Sequence, residues 1–277
     1  MNRPCPIFKP GTAAGFAWTR RLLLLLLSGF LGFLVLATLV SGAAAEDKPL
    51  RVFIRAGKKT HGPGEHDYPR FLAEWTRLLT QRGAVADGAL NFPDPAQLER
   101  ADVMILYAPD GGNLAAAERQ TLESFTRRGG GLVVLHDGLC GSDPDWFKTI
   151  IGGAKQHGVT NWNRAKLELT LTNLDHPVTK GLASFEMDDE LFYRLHLMPD
   201  LTILATARHQ GQAVPQLWCY ETKAGAGTVS HRAFVSLQGH YYSTFSTAPY
   251  RGILLRGIAW AGRRDPGLLV RPEDLGH

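Results

Sequence analysis

Cysteine is scarce in this chain. It has three in 277 residues, Cys5, Cys140 and Cys219. None forms a Cys-x-x-Cys pair, so a thiolate zinc cluster of the usual spacing is excluded. No glycine-rich phosphate loop is present either. Internal repeats are missing, and low-complexity sequence is confined to the first 45 residues. A surplus of charge of one sign is also missing from the body of the chain. The formal charge of +4 is carried by Arg3, Lys9, Arg20 and Arg21, and residues 1–45 hold no acid. From residue 46 onward, 26 basic side chains face 26 acidic ones, and a neutral chain of this kind gives no footing for nucleic acid as a partner.

What is present at the start is a leader. Arg20 and Arg21 precede an apolar run from Leu22 to Val40, followed by Ser41-Gly42-Ala43-Ala44-Ala45. Basic, then apolar, then small residues is the order of a secretory signal, with cleavage expected after Ala45. Thr19-Arg20-Arg21-Leu22-Leu23 also resembles a twin-arginine signal. The expectation is therefore export to the periplasm or the cell exterior. An uncleaved leader would be the one route to a membrane anchor. Cys140 and Cys219 would then sit in an oxidising compartment, and whether they pair is open.

The domain expected over residues 46–262 begins as alternating strand and helix. Leu50–Ala56 reads as a first strand, running into a Gly-rich polar loop. Phe71, Leu72, Trp75, Leu78 and Leu79 recur at helical spacing from Tyr68 to Arg82, and Gly83 closes that helix. Ala84–Leu90 is a weaker strand and Asp102–Ala108 a clear one. Leu114–Arg128 is an amphipathic helix. Leu132–Leu135 follows three glycines as a continuous apolar run, the pattern of a strand buried on both faces. This alternation predicts an α/β fold with a doubly wound parallel sheet. Its loops after strands one, three and four would share one edge, carrying His61, His66, Asp110, His136 and Asp137.

The second half reads differently. Asp145–Ile151 is a short helix stopped by Gly152. Lys166–Leu171 alternates as a half-exposed antiparallel strand does. Asp175-His176-Pro177 is a turn. Asp188 and Asp189 read as an acidic, solvated loop entering a strand. Leu201–Thr206 is a strand, and Pro215–Glu221 with Ala233–Leu237 a hairpin. Tyr250–Ala261 closes the domain, and 263–277 reads as an irregular tail.

Several fragments together are specific. Gly-Gly-Gly-Leu-Val-Val-Leu-His at 129–136, Asp-His-Pro-Val-Thr-Lys-Gly-Leu at 175–182 and Asp-Glu-Leu-Phe at 189–192 resemble the ThuA-like (trehalose utilisation) family. So do Pro215 with Trp218, Gln-Gly-His at 238–240 and Gly-Ile-Ala-Trp at 257–260. The resemblance spans roughly Leu50 to Gly262. It implies a class I glutamine-amidotransferase-like, flavodoxin-like fold: a parallel central sheet flanked by helices, with antiparallel strands added in the second half. It also implies a role in carbohydrate metabolism, without fixing the reaction. In the amidotransferase superfamily a nucleophilic cysteine sits on the strand-to-helix elbow. Here that tip reads Leu135-His136-Asp137-Gly138, with Cys140 further on.

The candidate chemistry is a set of histidines with a carboxylate. His136, Asp137 and Glu190 are the catalytic candidates. His61, His66 and His240 are the candidate ligands for a divalent ion such as zinc. Without a metal the same groups would serve as general acid and base. Trp146, Trp162 and Tyr241 are the candidates to stack on a sugar ring. His66 has a second reading, as a cap on the helix that follows it. His157, His196, His209, His231 and His277 have no strand-tip context and read as surface or packing residues. Three functions fit: an exported enzyme acting on a disaccharide or keto-sugar by hydrolysis or proton transfer; a non-catalytic periplasmic sugar-binding protein that has lost the nucleophile; or a thiol enzyme using Cys140. The partner expected is a small carbohydrate, and the oligomeric state is open.

Overall fold

The computed structural model describes residues 48–276. The expected leader, its cleavage point, Cys5 and His277 lie outside them. In chain order the strands are β1 (Arg51–Ala56), β2 (Val85–Ala89), β3 (Val103–Tyr107), β4 (Gly131–Leu135), β5 (Gly153–Ala154), β6 (Asn161–Leu171), β7 (Phe185–Tyr193), β8 (His196–Leu197), β9 (Thr202–His209), β10 (Gln212–Glu221) and β11 (Arg232–Ser236). The helices are α1 (Tyr68–Gln81), α2 (Pro95–Glu99), α3 (Ala116–Arg127), α4 (Pro144–Ile151) and α5 (Ala248–Ala261).

Nine strands form one sheet in the order β2-β1-β3-β4-β11-β10-β9-β6-β7. From β2 to β11 the pairing is parallel, and from β11 to β7 it is antiparallel. The parallel part has the 2-1-3-4-5 order of flavodoxin-like sheets, so the chain reverses its direction of spread between β1 and β3. The expected fold class is the observed one. β3 and β4 are wholly buried, as their unbroken apolar runs require. β5 and β8 pair apart from the main sheet.

Helices cover both faces. α1 buries Tyr68, Phe71, Trp75 and Leu79 on one face, beside α5, and each large aromatic buried there is worth roughly 2–3 kcal/mol of transfer free energy. α3 and α4 cover the other face with Leu122, Phe125, Phe147 and Ile151. No helix among the described residues is long and apolar enough to cross a membrane.

Two sequence expectations change. Asp188 and Asp189 lie within β7 rather than in a solvated loop, and Asp189 is fully buried. The alternation was obscured there because the buried carboxylate takes its hydrogen bonds from another segment. The tail is not wholly irregular: Pro272–Asp274 makes a 3₁₀ turn and Asp274 is fully buried. Its carboxylate pairs with Arg82 at 2.8 Å and Arg251 at 2.7 Å, which ties the tail to α1 and α5.

Candidate functional site

The site is built where the loops after β1, β4 and β11 converge. β4 ends in the 3₁₀ turn His136–Leu139, and His136 takes a left-handed φ of 51° at the elbow itself. His61, His66 and Asp110 also adopt positive φ, 62°, 44° and 46°. Non-glycine residues held in this region cost roughly 1–3 kcal/mol each and persist where the surroundings over-determine them. Gly239, at φ 132°, lets its loop pass over the elbow: a Cβ there would sit 3.3 Å from that of His136.

Three ring nitrogens meet at this point. His66 Nε2 lies 3.0 Å from His136 Nε2 and 2.9 Å from His240 Nδ1, and all three rings are buried. The opposite nitrogen of each ring faces an oxygen. His136 Nδ1–H donates to the Leu237 carbonyl at 3.0 Å, His66 Nδ1 faces Thr60 Oγ1 at 3.0 Å, and His240 Nε2 faces Glu65 at 3.4 Å. The Leu237 carbonyl can only accept, which leaves the His136 Nε2 lone pair pointing at the centre when the ring is neutral. Arg164, 2.9 Å from His240 Nε2, competes with Glu65 for that nitrogen, and is itself engaged by Glu65 at 3.2 Å.

Such a group fits a divalent metal. Outward N–H groups held on oxygen acceptors orient metal-ligating histidines, and ligand nitrogens around a tetrahedral zinc ion stand about 3.3 Å apart. Burial depresses the pKa of all three rings: His66 to about 4, His136 well below the ordinary value, and His240 through burial and then Arg164. All three are therefore neutral near pH 7, as ligands must be.

The two carboxylates beside the rings differ. Glu190 points at the same centre, 3.4 Å from His240 Nδ1 and 3.8 Å from His136 Nε2. Burial pushes it up to about 7, and Lys155 opposes that rise. Asp137 is engaged elsewhere, accepting from Lys155 Nζ at 2.6 Å. Burial alone would raise Asp137, but Lys155 and the neighbouring rings outweigh it and hold it well below the carboxylate range. Of the two, Glu190 is thus the carboxyl able to exchange a proton near neutrality, and Asp137 is the fixed counter-charge of a buried lysine.

Behind them Asp189 braces the β11 loop. It accepts from the Gly239 N–H at 3.0 Å, the His240 N–H at 3.2 Å and Thr244 Oγ1 at 2.5 Å. Tyr107 donates to the Gly239 carbonyl from the other side. Gln238 and Gln216 hydrogen-bond to each other, and Gln216 bonds to both backbone groups of Phe192, which holds the strand that bears Glu190.

These groups line a cavity of about 270 Å³, closed on one side by Phe192 and bordered by Trp162, which is half exposed. His61 stacks beside His66 at 3.9 Å between ring centroids and stays exposed at the rim, outside the three-ring group. Two of the three aromatic candidates lie elsewhere. Trp146, on the first turn of α4, donates to Glu123 at 2.9 Å beneath the Arg119 guanidinium, on the surface of α3. Tyr241 packs edge-on against His240 and does not border the cavity. His66 caps no helix: Asp67 is the residue at that position.

Sequence reasoning passed over Lys155, Arg164 and Glu65, and read His157 as a surface or packing residue. Lys155 and His157 follow the two-residue β5, too short to show a period. Their one sequence signal is a polar stretch running from Gly152-Gly153 to Gly158. Arg164 and Trp162 lie on β6, which starts at Asn161, well before the visible alternation.

Cys140 and Cys219 are unbonded and buried. Burial pushes the Cys140 thiol up to about 12, with Asp110 and Asp137 adding to the rise against Lys155. Its thiolate is therefore scarce at neutral pH, the opposite of an activated nucleophile. Iodoacetamide is expected to leave Cys140 unmodified in the native protein, with peptide mass spectrometry as the readout. Rapid stoichiometric alkylation would restore a thiol mechanism.

A family model described as ThuA, trehalose utilisation, matches residues 59–261. A ThuA-like protein from Bacteroides uniformis superposes with a TM-score of 0.60 at 19% identity, covering 82% of this chain and 99% of that one. A ThuA-like protein from Parabacteroides merdae gives 0.57 at 17%, covering 78% and 90%. A β-galactosidase from Bacillus circulans sp. alkalophilus gives 0.53 at 14%, covering 79% of this chain and 32% of that one. At these identities the likeness is one of fold. No curated protein sequence matches this chain.

Proposed function

We propose, from the premise that this chain belongs to the ThuA (trehalose utilisation) family, that it is a carbohydrate-converting enzyme whose substrate is a disaccharide or a keto-sugar derived from one. The observation that carries this reading is the convergence of three neutral imidazoles and Glu190 on the floor of a cavity bordered by an exposed tryptophan. His66, His136 and His240 would hold a divalent ion such as zinc, with Glu190 beside them. Such an ion supplies Lewis acidity toward a carbonyl, hydroxyl or water oxygen. The remaining work falls to the chain. Glu190 takes a proton from the substrate and returns it, as in an isomerisation, an elimination or the activation of water. Lys155, oriented by Asp137 at 2.6 Å, and Arg164 face oxygen atoms that gain negative charge. Trp162 offers a ring face to the sugar. The basic, apolar and small order of residues 1–45 supports export, with an uncleaved leader as the membrane-anchored alternative.

The test is elemental analysis of the purified protein, combined with turnover of disaccharides and keto-glycosides before and after chelation. Wild-type protein is expected to hold at least one equivalent of metal. His136→Ala should lose at least roughly 100-fold in affinity, about a quarter of a structural-site binding free energy. Full metal retention in both His136→Ala and His240→Ala sinks the ligand assignment. Saturable sugar binding without product, on long incubation of the metal-loaded protein, would mark a binding protein instead. Trp162→Ala is expected to weaken sugar binding by about 1–2 kcal/mol, visible as a raised KM with kcat nearly unchanged. An unchanged KM would remove Trp162 from the sugar site.

A further inference from the structure

A second group of side chains lies outside the histidine cluster, with Cys140 and His157 on the wall of the same cavity. Asp110, Cys140 and His157 each present one ligand atom, and the three atoms lie within 4.8 Å of one another. His157 Nε2 is 2.7 Å from Asp110 Oδ1, and the Cys140 thiol is within hydrogen-bonding reach of the same carboxylate. We propose that these three side chains form a second divalent-metal site of mixed sulfur, nitrogen and oxygen donors, suited to a borderline-soft ion such as zinc, with its fourth position open to the cavity.

The donor set is that of a zinc ligand sphere, and it is pre-organised. Gly111 N–H donates to the Asp137 carbonyl at 3.1 Å and Gly112 N–H to the Cys140 carbonyl at 2.8 Å, which fastens the Asp110 loop to the elbow turn. Lys155 N–H donates to the Leu139 carbonyl at 3.0 Å and Gly141 N–H to the Lys155 carbonyl at 3.3 Å, which fastens the loop of His157 to the same turn. Three loops distant in sequence are thus bonded through their main chains around the three donors. The left-handed φ of Asp110 is held by this arrangement, with Asn113 N–H on its carbonyl at 2.8 Å.

The charges balance. A dication meets the Cys140 thiolate and the Asp110 carboxylate, while the nearby Lys155 ammonium is already neutralised by Asp137 at 2.6 Å. Binding replaces the thiol proton, which leaves to solvent, and no redox partner is needed. The Asp137–Lys155 pair contacts the histidine cluster through Asp137 and acts on Cys140 through Lys155, so it stands between two sites of different chemistry.

Cobalt(II) distinguishes them, because only the second site contains sulfur. Titration of the metal-stripped full chain should show one equivalent with visible d–d absorption alone. A further equivalent should carry a near-ultraviolet thiolate-to-cobalt charge-transfer band. Cys140→Ser should remove that band and keep the first equivalent. His157→Ala, at an exposed residue whose loss leaves the core untouched, should weaken the second equivalent by roughly tenfold or more. Absence of the band at saturating cobalt, or its survival in Cys140→Ser, overturns the proposal. Failure of the histidine cluster to bind would read differently, as a single equivalent that still carries the band.

Discussion

Glu190→Gln is expected to lower turnover by about 10²–10⁴-fold, the usual contribution of a positioned acid or base, while the metal content and KM of the protein change little. Glutamine keeps the shape and hydrogen-bonding reach of the side chain but cannot accept and return a proton. The loss should fall on kcat, since the substrate still meets Trp162, Lys155 and Arg164. Asp137→Asn should behave differently, because it leaves Lys155 as a buried cation without its counter-charge. Its defect should appear in stability as well as in rate. The measurement is kcat and KM on whichever disaccharide or keto-glycoside is turned over, with thermal melting as the control for folding. Near wild-type kcat in metal-loaded Glu190→Gln would end the assignment of Glu190 as the proton-exchanging group.

The metal-free protein is expected to lose stability as pH falls from 6 to 5. His66, His136, His231 and His240 are buried, and burial depresses all four below the ordinary value of 6.5. A base depressed in the folded state contributes stability that is complete above the unfolded value. That stability is lost as pH falls toward the folded one, because the unfolded chain takes up protons first. Each such ring costs about 1.4 kcal/mol per pH unit inside this window. Asp189 and Glu190 act in the opposite sense. Their folded values are raised, to about 6 and about 7, so each regains a similar amount as pH falls below those values. Four depressed histidines outnumber the two raised carboxyls, so the net effect of acidification is a loss of stability. Urea midpoints of chelated protein at pH 7.5, 6.5, 6 and 5 test this. Equal midpoints at pH 7.5 and 5 would show that the rings are not held neutral.

The sequence was most legible where burial imposes a period. Phe71, Trp75 and Leu79 marked α1 because a helix with one buried face must repeat near 3.6. The unbroken Leu132–Leu135 run marked β4 because a central parallel strand is covered on both sides. His136, His66 and His240 were legible as candidates because each ends or flanks such an element, whereas Glu190, inside β7, was legible through the Asp-Glu-Leu-Phe fragment at 189–192. Lys155, His157, Arg164 and Glu65 were not, since they lie on short or irregular segments whose sequences carry no period.

Residue order by itself determined the parallel sheet, the strand tips that bear the histidines, and the place of His136 at the end of β4. Those features follow from local burial and from turn chemistry. Only the tertiary structure decided which groups share the site. It separated Glu190 from Asp137 by giving Asp137 to Lys155. It moved Trp146 to an outer helix surface, buried Asp189 under the loop of His240, and set His157 beside Cys140. Each of these depends on main-chain crossings between segments far apart in sequence, and no local pattern records such a crossing.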